Sequence, residues 1–318
     1  MSFLDRFLKR PDKPPEWASF FNASEFAKFI QVVEAEMIRS KVDYQLDPNA
    51  GVIRAQEPGK DDGNTFGLLN IAQRCAQVPK LDWANVVHEH FVRLLSSRSQ
   101  SEGTMSSFES NFEAARPQLK LRLFPSDTPA DPLVIYSPAE GIVAALVYDL
   151  PETVMTVSKD HVTAWNIPRE ELFRIALDNV KAEPGIELAS FDLPEGCQLH
   201  ALTSESFFTA SKALLLEEYL PNPLPEFGAL VAIPNRHTVV FHPIVDKGCI
   251  PALNAMITMA QGIFRDGPRS VSPDVFWWRE AAWWHEGQFT RFPTTVTNKR
   301  LNVEIPPEFA AKVLERLE

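Results

Sequence analysis

Apolar residues recur along this chain at two spacings, and each switch between them marks a change of element. Phe3, Leu4, Phe7 and Leu8 fall on one helical side among Arg6, Lys9 and Arg10, before Pro11, Pro14 and Pro15 interrupt the segment. Two turns bury little area, so this reads as an N-terminal arm and not as a membrane-binding helix. After Ser24, a good N-cap, Phe26, Phe29, Ile30, Val33 and Met37 share a face to about Ser40 and predict a helix. Val42, Tyr44 and Leu46 then alternate with polar residues, and Asp47-Pro48-Asn49-Ala50-Gly51 turns the chain into a second strand, Val52 to Ala55. A polar loop from Glu57 to Asn64 precedes a helix carrying Leu68, Ile71, Ala72 and Cys75 on one face, with Pro79 as its stop. Asp82 caps the longest helical pattern, in which Trp83, Val86, Val87, His90, Phe91, Leu94 and Leu95 line one stripe.

From Ser96 to Ser107 the apolar pattern gives way to Ser, Arg, Gln, Glu and Gly, which predicts an exposed linker. The expected organisation is an arm over 1–23, an α+β region over 24–116 and a C-terminal α+β domain over 117–318. Leu119, Leu121 and Leu123 alternate with Lys120 and Arg122, as in a half-buried strand. Val134 to Tyr136 and the apolar run Gly141 to Leu150 predict two more strands, the second covered on both faces. A helix follows from Pro168 to a stop at Pro184. The unit strand, strand, helix then occurs twice. Glu187 to Leu193 and Cys197 to Leu202 precede a helix from Ser204 to Tyr219, and Gly228 to Ile233 and His237 to Val245 precede a helix from Pro251 to Arg265. A hairpin over Val275 to Phe292 and a short terminal helix complete the pattern. Successive strand-strand-helix units with a helical N-terminal part predict the α+β class with a mainly antiparallel sheet.

Composition narrows the function classes more than it narrows the fold. The 318 residues carry 31 Lys and Arg against 42 Asp and Glu, a formal net charge of −11. A surplus of acid with no long basic block disfavours a nonspecific grip on nucleic acid, which is made by neutralising phosphates. Three widely separated cysteines, Cys75, Cys197 and Cys249, form no disulfide framework and no zinc-knuckle spacing, as expected in a reducing compartment. No export signal is visible and the longest apolar run is less than half a membrane span. A cytoplasmic protein without integral membrane association is expected.

Candidate chemistry is sparse. His88 and His90 stand two apart on a helix, about 200° around the axis, so their imidazoles diverge and hold no common metal. His90 lies on the apolar stripe and reads as core, His88 as solvated. His237 and His242 face opposite sides of one strand, but His200 on the neighbouring hairpin can approach His242 if the strands pair in the right register. Asp61 and Asp62 sit in a polar turn without the alternating ligands of a calcium loop. No glycine-rich nucleotide loop and no nucleophile elbow occurs, and neither a cofactor nor a metal is expected. The segment Phe276 to Phe289 is the exception, with four of the seven tryptophans. Neighbours on a strand point to opposite faces, so one of Trp277 and Trp278, and one of Trp283 and Trp284, can stay outside. Beside Arg279 and Arg291 these form a candidate contact surface for another protein.

Several stretches resemble one family. Asp61-Asp62-Gly63-Asn64-Thr65-Phe66, Tyr148-Asp149-Leu150-Pro151, the helix start Pro168 to Leu172, Ala210-Ser211-Lys212-Ala213-Leu214-Leu215, and Gly228 to Pro234 look like the YtpQ-like bacterial proteins, a family of unknown function, with order and spacing matched from Val42 to Phe292. These motifs are turns, caps and strand cores, so the resemblance implies a fold and a bacterial source and carries over no catalytic residue. In the Trp-rich hairpin this sequence departs from the family. The expected function is therefore a non-enzymatic regulatory, adaptor or inhibitor-type module that binds another protein. The alternative is a hydrolase or other enzyme with a site of dispersed carboxylates and histidines, Asp61, Asp62, His200 and His242.

Overall fold

A computed structural model of the chain describes residues 14–41, 43–56, 64–128, 134–150, 153–193, 196–266, 270–280, 288–297 and 300–317. The first helix, α1 (Ala23–Arg39), is capped by Asn22 and not by Ser24. The Asn22 side chain accepts from the Glu25 amide at 3.0 Å, and the Glu25 carboxylate accepts from the Asn22 amide at 3.0 Å. This reciprocal box satisfies two amides that the helix start would leave open. Strands β1 (Asp43–Asp47), β2 (Val52–Gln56) and β3 (Asn64–Gly67) form an antiparallel sheet in that order. Helices α2 (Leu69–Ala76) and α3 (Trp83–Ser110) follow. Phe26, Phe29, Val33 and Met37 from α1 join Ile53, Ile71, Cys75, Trp83, Val87 and Phe91 in one core.

The chain divides into two compact units, residues 1–100 and 101–318, so the division falls inside α3 and ahead of the 116/117 boundary read from the sequence. Ser96 to Ser107 is part of α3 and not a loop. The segment contains no proline and only Gly103 as a strong helix breaker, so its polar composition is compatible with helix even though no apolar face announces it.

In the second unit the end of α3 is followed by α4 (Phe112–Ala115) and then β4 (Leu119–Pro125), β5 (Ile135–Ala139), β6 (Ile142–Leu150) and β7 (Thr153–Thr156). β6 is the centre of this antiparallel sheet, with β4 along one edge and β5 and β7 sharing the other. Eight of its nine residues are buried, which explains its continuous apolar run. Helices α5 (Lys159–Trp165) and α6 (Arg169–Lys181) follow, α6 turning Leu172, Phe173, Ala176, Leu177 and Val180 inward.

A six-stranded antiparallel sheet forms the remainder, from β8 (Glu187–Asp192), β9 (Gln198–Thr203), β10 (Ala229–Asn235), β11 (Thr238–Pro243), β12 (Val275–Trp278) and β13 (Phe289–Phe292), in the order β13-β12-β10-β11-β9-β8. The segment after β9 is a 3-10 helix, Ala210–Tyr219, broken at Leu215, where φ is −120° and ψ is 31°. Ala210 to Leu216 are buried on every side, including Lys212, whose ammonium donates to the Lys181 carbonyl at 3.0 Å and is held below the ordinary lysine value by burial. The helix after β11 is α7 (Cys249–Asp266). These two helical segments lie in different cores. Val231, Val239, Phe241, Phe276 and Trp278 pack with the 3-10 segment and the β6 layer, while Leu230, Val240, Trp277 and Phe292 pack with α7 and with Phe309 and Val313 near the C-terminus. The six-stranded sheet is thus an inner layer, covered on both faces over its central strands. A last hairpin, β14 (Thr294–Thr297) and β15 (Arg300–Val303), was not expected from the sequence. The fold is α+β, with antiparallel sheets and a helical N-terminal part. Among the described residues no helix is long and apolar enough to cross a membrane.

Candidate functional site

The inner position of the six-stranded sheet decides the fate of the tryptophan pair on β12. Trp277 and Trp278 do point to opposite faces, but each face meets a core, and the two residues are 2% and 1% exposed. The expectation that one of them stays outside is therefore corrected: alternation separates neighbours without exposing either when the strand is covered on both sides. Trp277 donates from its indole to the Phe227 carbonyl at 2.7 Å and meets the Phe309 ring edge-on. Trp283 and Trp284 lie outside the described residues. The two arginines are engaged within the chain. Arg279 stacks over the Trp277 ring at 4.3 Å and pairs with Glu308 at 2.7 Å. Arg291 pairs with the buried Asp274 at 2.7 Å and with Glu140 at 3.1 Å.

Of the residues of the enzymatic alternative, His200 and His242 do not meet either. β9 and β11 pair, but the register sets His200 opposite Phe241, so His242 projects from the other face. His200 stacks on the Phe241 ring at 5.1 Å and shares a 2.7 Å hydrogen bond between Nδ1 and the Ser190 hydroxyl. Burial, with a smaller contribution from the His242 charge, holds its imidazole below the ordinary histidine value. His242 is 6% exposed, with Nδ1 2.8 Å from the Gln198 carbonyl. Each therefore has a packing role in its own layer. Asp61 and Asp62 lie outside the described residues. Among the described residues no group of three or more His, Cys, Asp or Glu side chains is placed to hold a metal ion.

What the topology does expose is β8. Among the described residues it ends the sheet and pairs with β9 alone, through six consecutive partners from Glu187 opposite Thr203 to Asp192 opposite Gln198. Five of its six residues are exposed, and Leu188 is 53% exposed. Only Phe191 reaches the α7-side core. An edge strand carries a row of backbone donors and acceptors with no partner, and proteins commonly blunt such edges with proline, lysine, a bulge or very short length. β8 has no proline, lysine or bulge: its sequence is Glu-Leu-Ala-Ser-Phe-Asp, with its charges confined to its two ends, and its register to β9 is unbroken. The opposite edge is different. β13 has four residues, carries Arg291 and runs into Pro293. β1, an edge of the small sheet, alternates exposed and half-buried residues and, like β8, is acidic at both ends. Sequence patterning predicts the β8–β9 hairpin correctly but contains no signal for strand order, and strand order is what leaves β8 at the rim.

The side chains of β8 add a charge preference to this geometry. Glu187 and Asp192 stand at its two ends with no basic residue between them, on a chain of net charge −11. An incoming strand with basic residues at matching positions gains cross-strand pairing as well as backbone hydrogen bonds. In comparisons with protein-family models, with curated proteins and with solved structures, nothing matches the chain.

Proposed function

We propose that the protein is a non-enzymatic, protein-binding module of the bacterial cytoplasm, of the regulatory, adaptor or inhibitor type, and that it takes up an extended basic segment of its partner as an added strand along β8. The observation that carries this reading is the unguarded edge of β8, exposed over five of six residues with Leu188 standing free. Strand addition draws its affinity from main-chain hydrogen bonds and its selectivity from alternate side chains, so it needs an accessible edge and no deep pocket. Net acidity favours a basic partner, both in steering the encounter and in rejecting acidic competitors. The resemblance to the YtpQ-like family supports the bacterial setting, although that family offers no activity to transfer.

Leu188→Lys tests the reading because it installs the guard that the edge lacks. Its side chain is half in solvent, so stability should change by no more than about 0.5–1 kcal/mol. Capture of the partner from native lysate should fall at least about tenfold relative to wild type, the loss expected when like charge and a bulky cation meet a basic strand. Leu81→Lys, at a 93% exposed position in the other unit, should capture as wild type does. Equal capture by wild type and Leu188→Lys would refute binding at this edge.

A further inference from the structure

By chemical type, β8 reads the same in both directions: acid, apolar, small, small, apolar, acid, from Glu187 to Asp192. Side chains alternate across a sheet, so Glu187, Ala189 and Phe191 share one face and Leu188, Ser190 and Asp192 the other. The chain's own contacts identify the two faces. Phe191 packs with the α7-side core, while Ser190 bonds His200, whose ring stacks on Phe241 in the opposite core. Each face therefore offers an added strand one carboxylate and one apolar side chain, with a small residue between them.

Directly opposite residues of paired strands lie on the same face, their Cβ atoms about 4.5–5.5 Å apart. A strand added outside β8 meets carboxylates at its first and sixth positions, and Leu188 and Phe191 at its second and fifth, in one order or the other. Ala189 and Ser190 make little demand on the two positions between. Because the pattern is symmetric, the order demanded of the partner is the same for a parallel and an antiparallel approach. A second copy of this chain is the wrong occupant. Antiparallel pairing of two β8 strands in full register sets Glu187 of each copy opposite Asp192 of the other, which places like charge on like charge at both ends.

We propose that β8 selects an extended segment of a partner protein in which the residues run basic, apolar, any, any, apolar, basic. This rests on strand addition at β8 and adds the sequence that the edge recognises. Calorimetric titration of the full chain with three end-capped peptides tests it. The first is Ser-Thr-Lys-Val-Thr-Thr-Val-Lys-Thr-Ser, the second exchanges its lysines with its valines, and the third has glutamate in place of lysine. The first should bind with a dissociation constant of about 1 mM or tighter. The other two should bind at least about fivefold more weakly, the scale of two cross-strand charge pairs. Glu187→Lys combined with Asp192→Lys should reverse the preference between the first and the third. Equal affinity for the first two peptides, each weakened by Leu188→Lys, would leave strand addition standing and overturn the pattern. No binding of the first peptide at about 10 mM, with capture of a partner still dependent on Leu188, would likewise overturn the pattern alone. Affinities that change neither in Leu188→Lys nor in the charge-reversed variant would overturn both.

Discussion

Trp277 and Trp278 are neighbours of almost equal burial that differ in the fate of one atom. The Trp277 indole N–H reaches the Phe227 carbonyl at 2.7 Å, whereas the Trp278 indole nitrogen is buried with no partner among the described residues. Replacing either by Ala should cost roughly 3–5 kcal/mol, because each leaves a cavity in a closed core. Replacement by Phe separates them. Trp277→Phe abandons a buried carbonyl and should cost about 1–3 kcal/mol more than Trp278→Phe, which removes a donor that has no acceptor. Denaturant unfolding of the two Phe variants measures the difference, and equal losses would show that the Phe227 bond contributes nothing. The sequence made the alternation of this pair legible, since period two is a local property. It could not show that both faces of β12 are covered, because the covering residues come from the 3-10 segment and α7. Glu36 was illegible for the same reason: its partner His88 lies fifty-two positions away, and only the packing of α1 against α3 brings them to 3.1 Å.

At the scale of elements, the sequence reading succeeded where an apolar face had to be buried and failed where it did not. α1, α2, α6, α7 and most strands of the two larger sheets carry their period openly. β3, β7, β14 and β15 have four residues each, too few for a period to register, and none carries the two or more aromatic residues that mark β12 and β13 at the same length. The polar half of α3 is the clearest case, a helix whose sequence reads as a linker. If Ser96 to Ser107 is helical in solution, Gly103→Ala should stabilise the chain by about 0.5–1 kcal/mol and raise its helical circular dichroism, because glycine is the poorest non-proline residue in a helix interior. No gain in either signal would return the segment to a loop. The gap between the expected and observed division of the chain has the same origin. A fall in hydrophobicity marked the boundary, but a helix continues through it.

At the scale of the whole molecule, the α+β class followed from hairpins in series, and the two repeated strand-strand-helix units were correctly placed in one antiparallel sheet. Their helical segments go to different cores, which makes the sheet an inner layer and buries both Trp277 and Trp278, one of which a one-sided sheet would have exposed. The same topology creates another surface. By ordering the strands β13-β12-β10-β11-β9-β8, it leaves β8 at the rim, with no strand paired to its outer backbone among the described residues. The account therefore stands on whether that rim is where a partner docks. A photo-crosslinking amino acid placed at position 188, with a second protein carrying it at the 93% exposed position 81, reads this directly in native lysate. The account predicts a discrete crosslinked product from Leu188, mapped by mass spectrometry to an extended basic segment of one protein and lacking from Leu81. Crosslinks that are the same from both positions, or no product from Leu188, would contradict it.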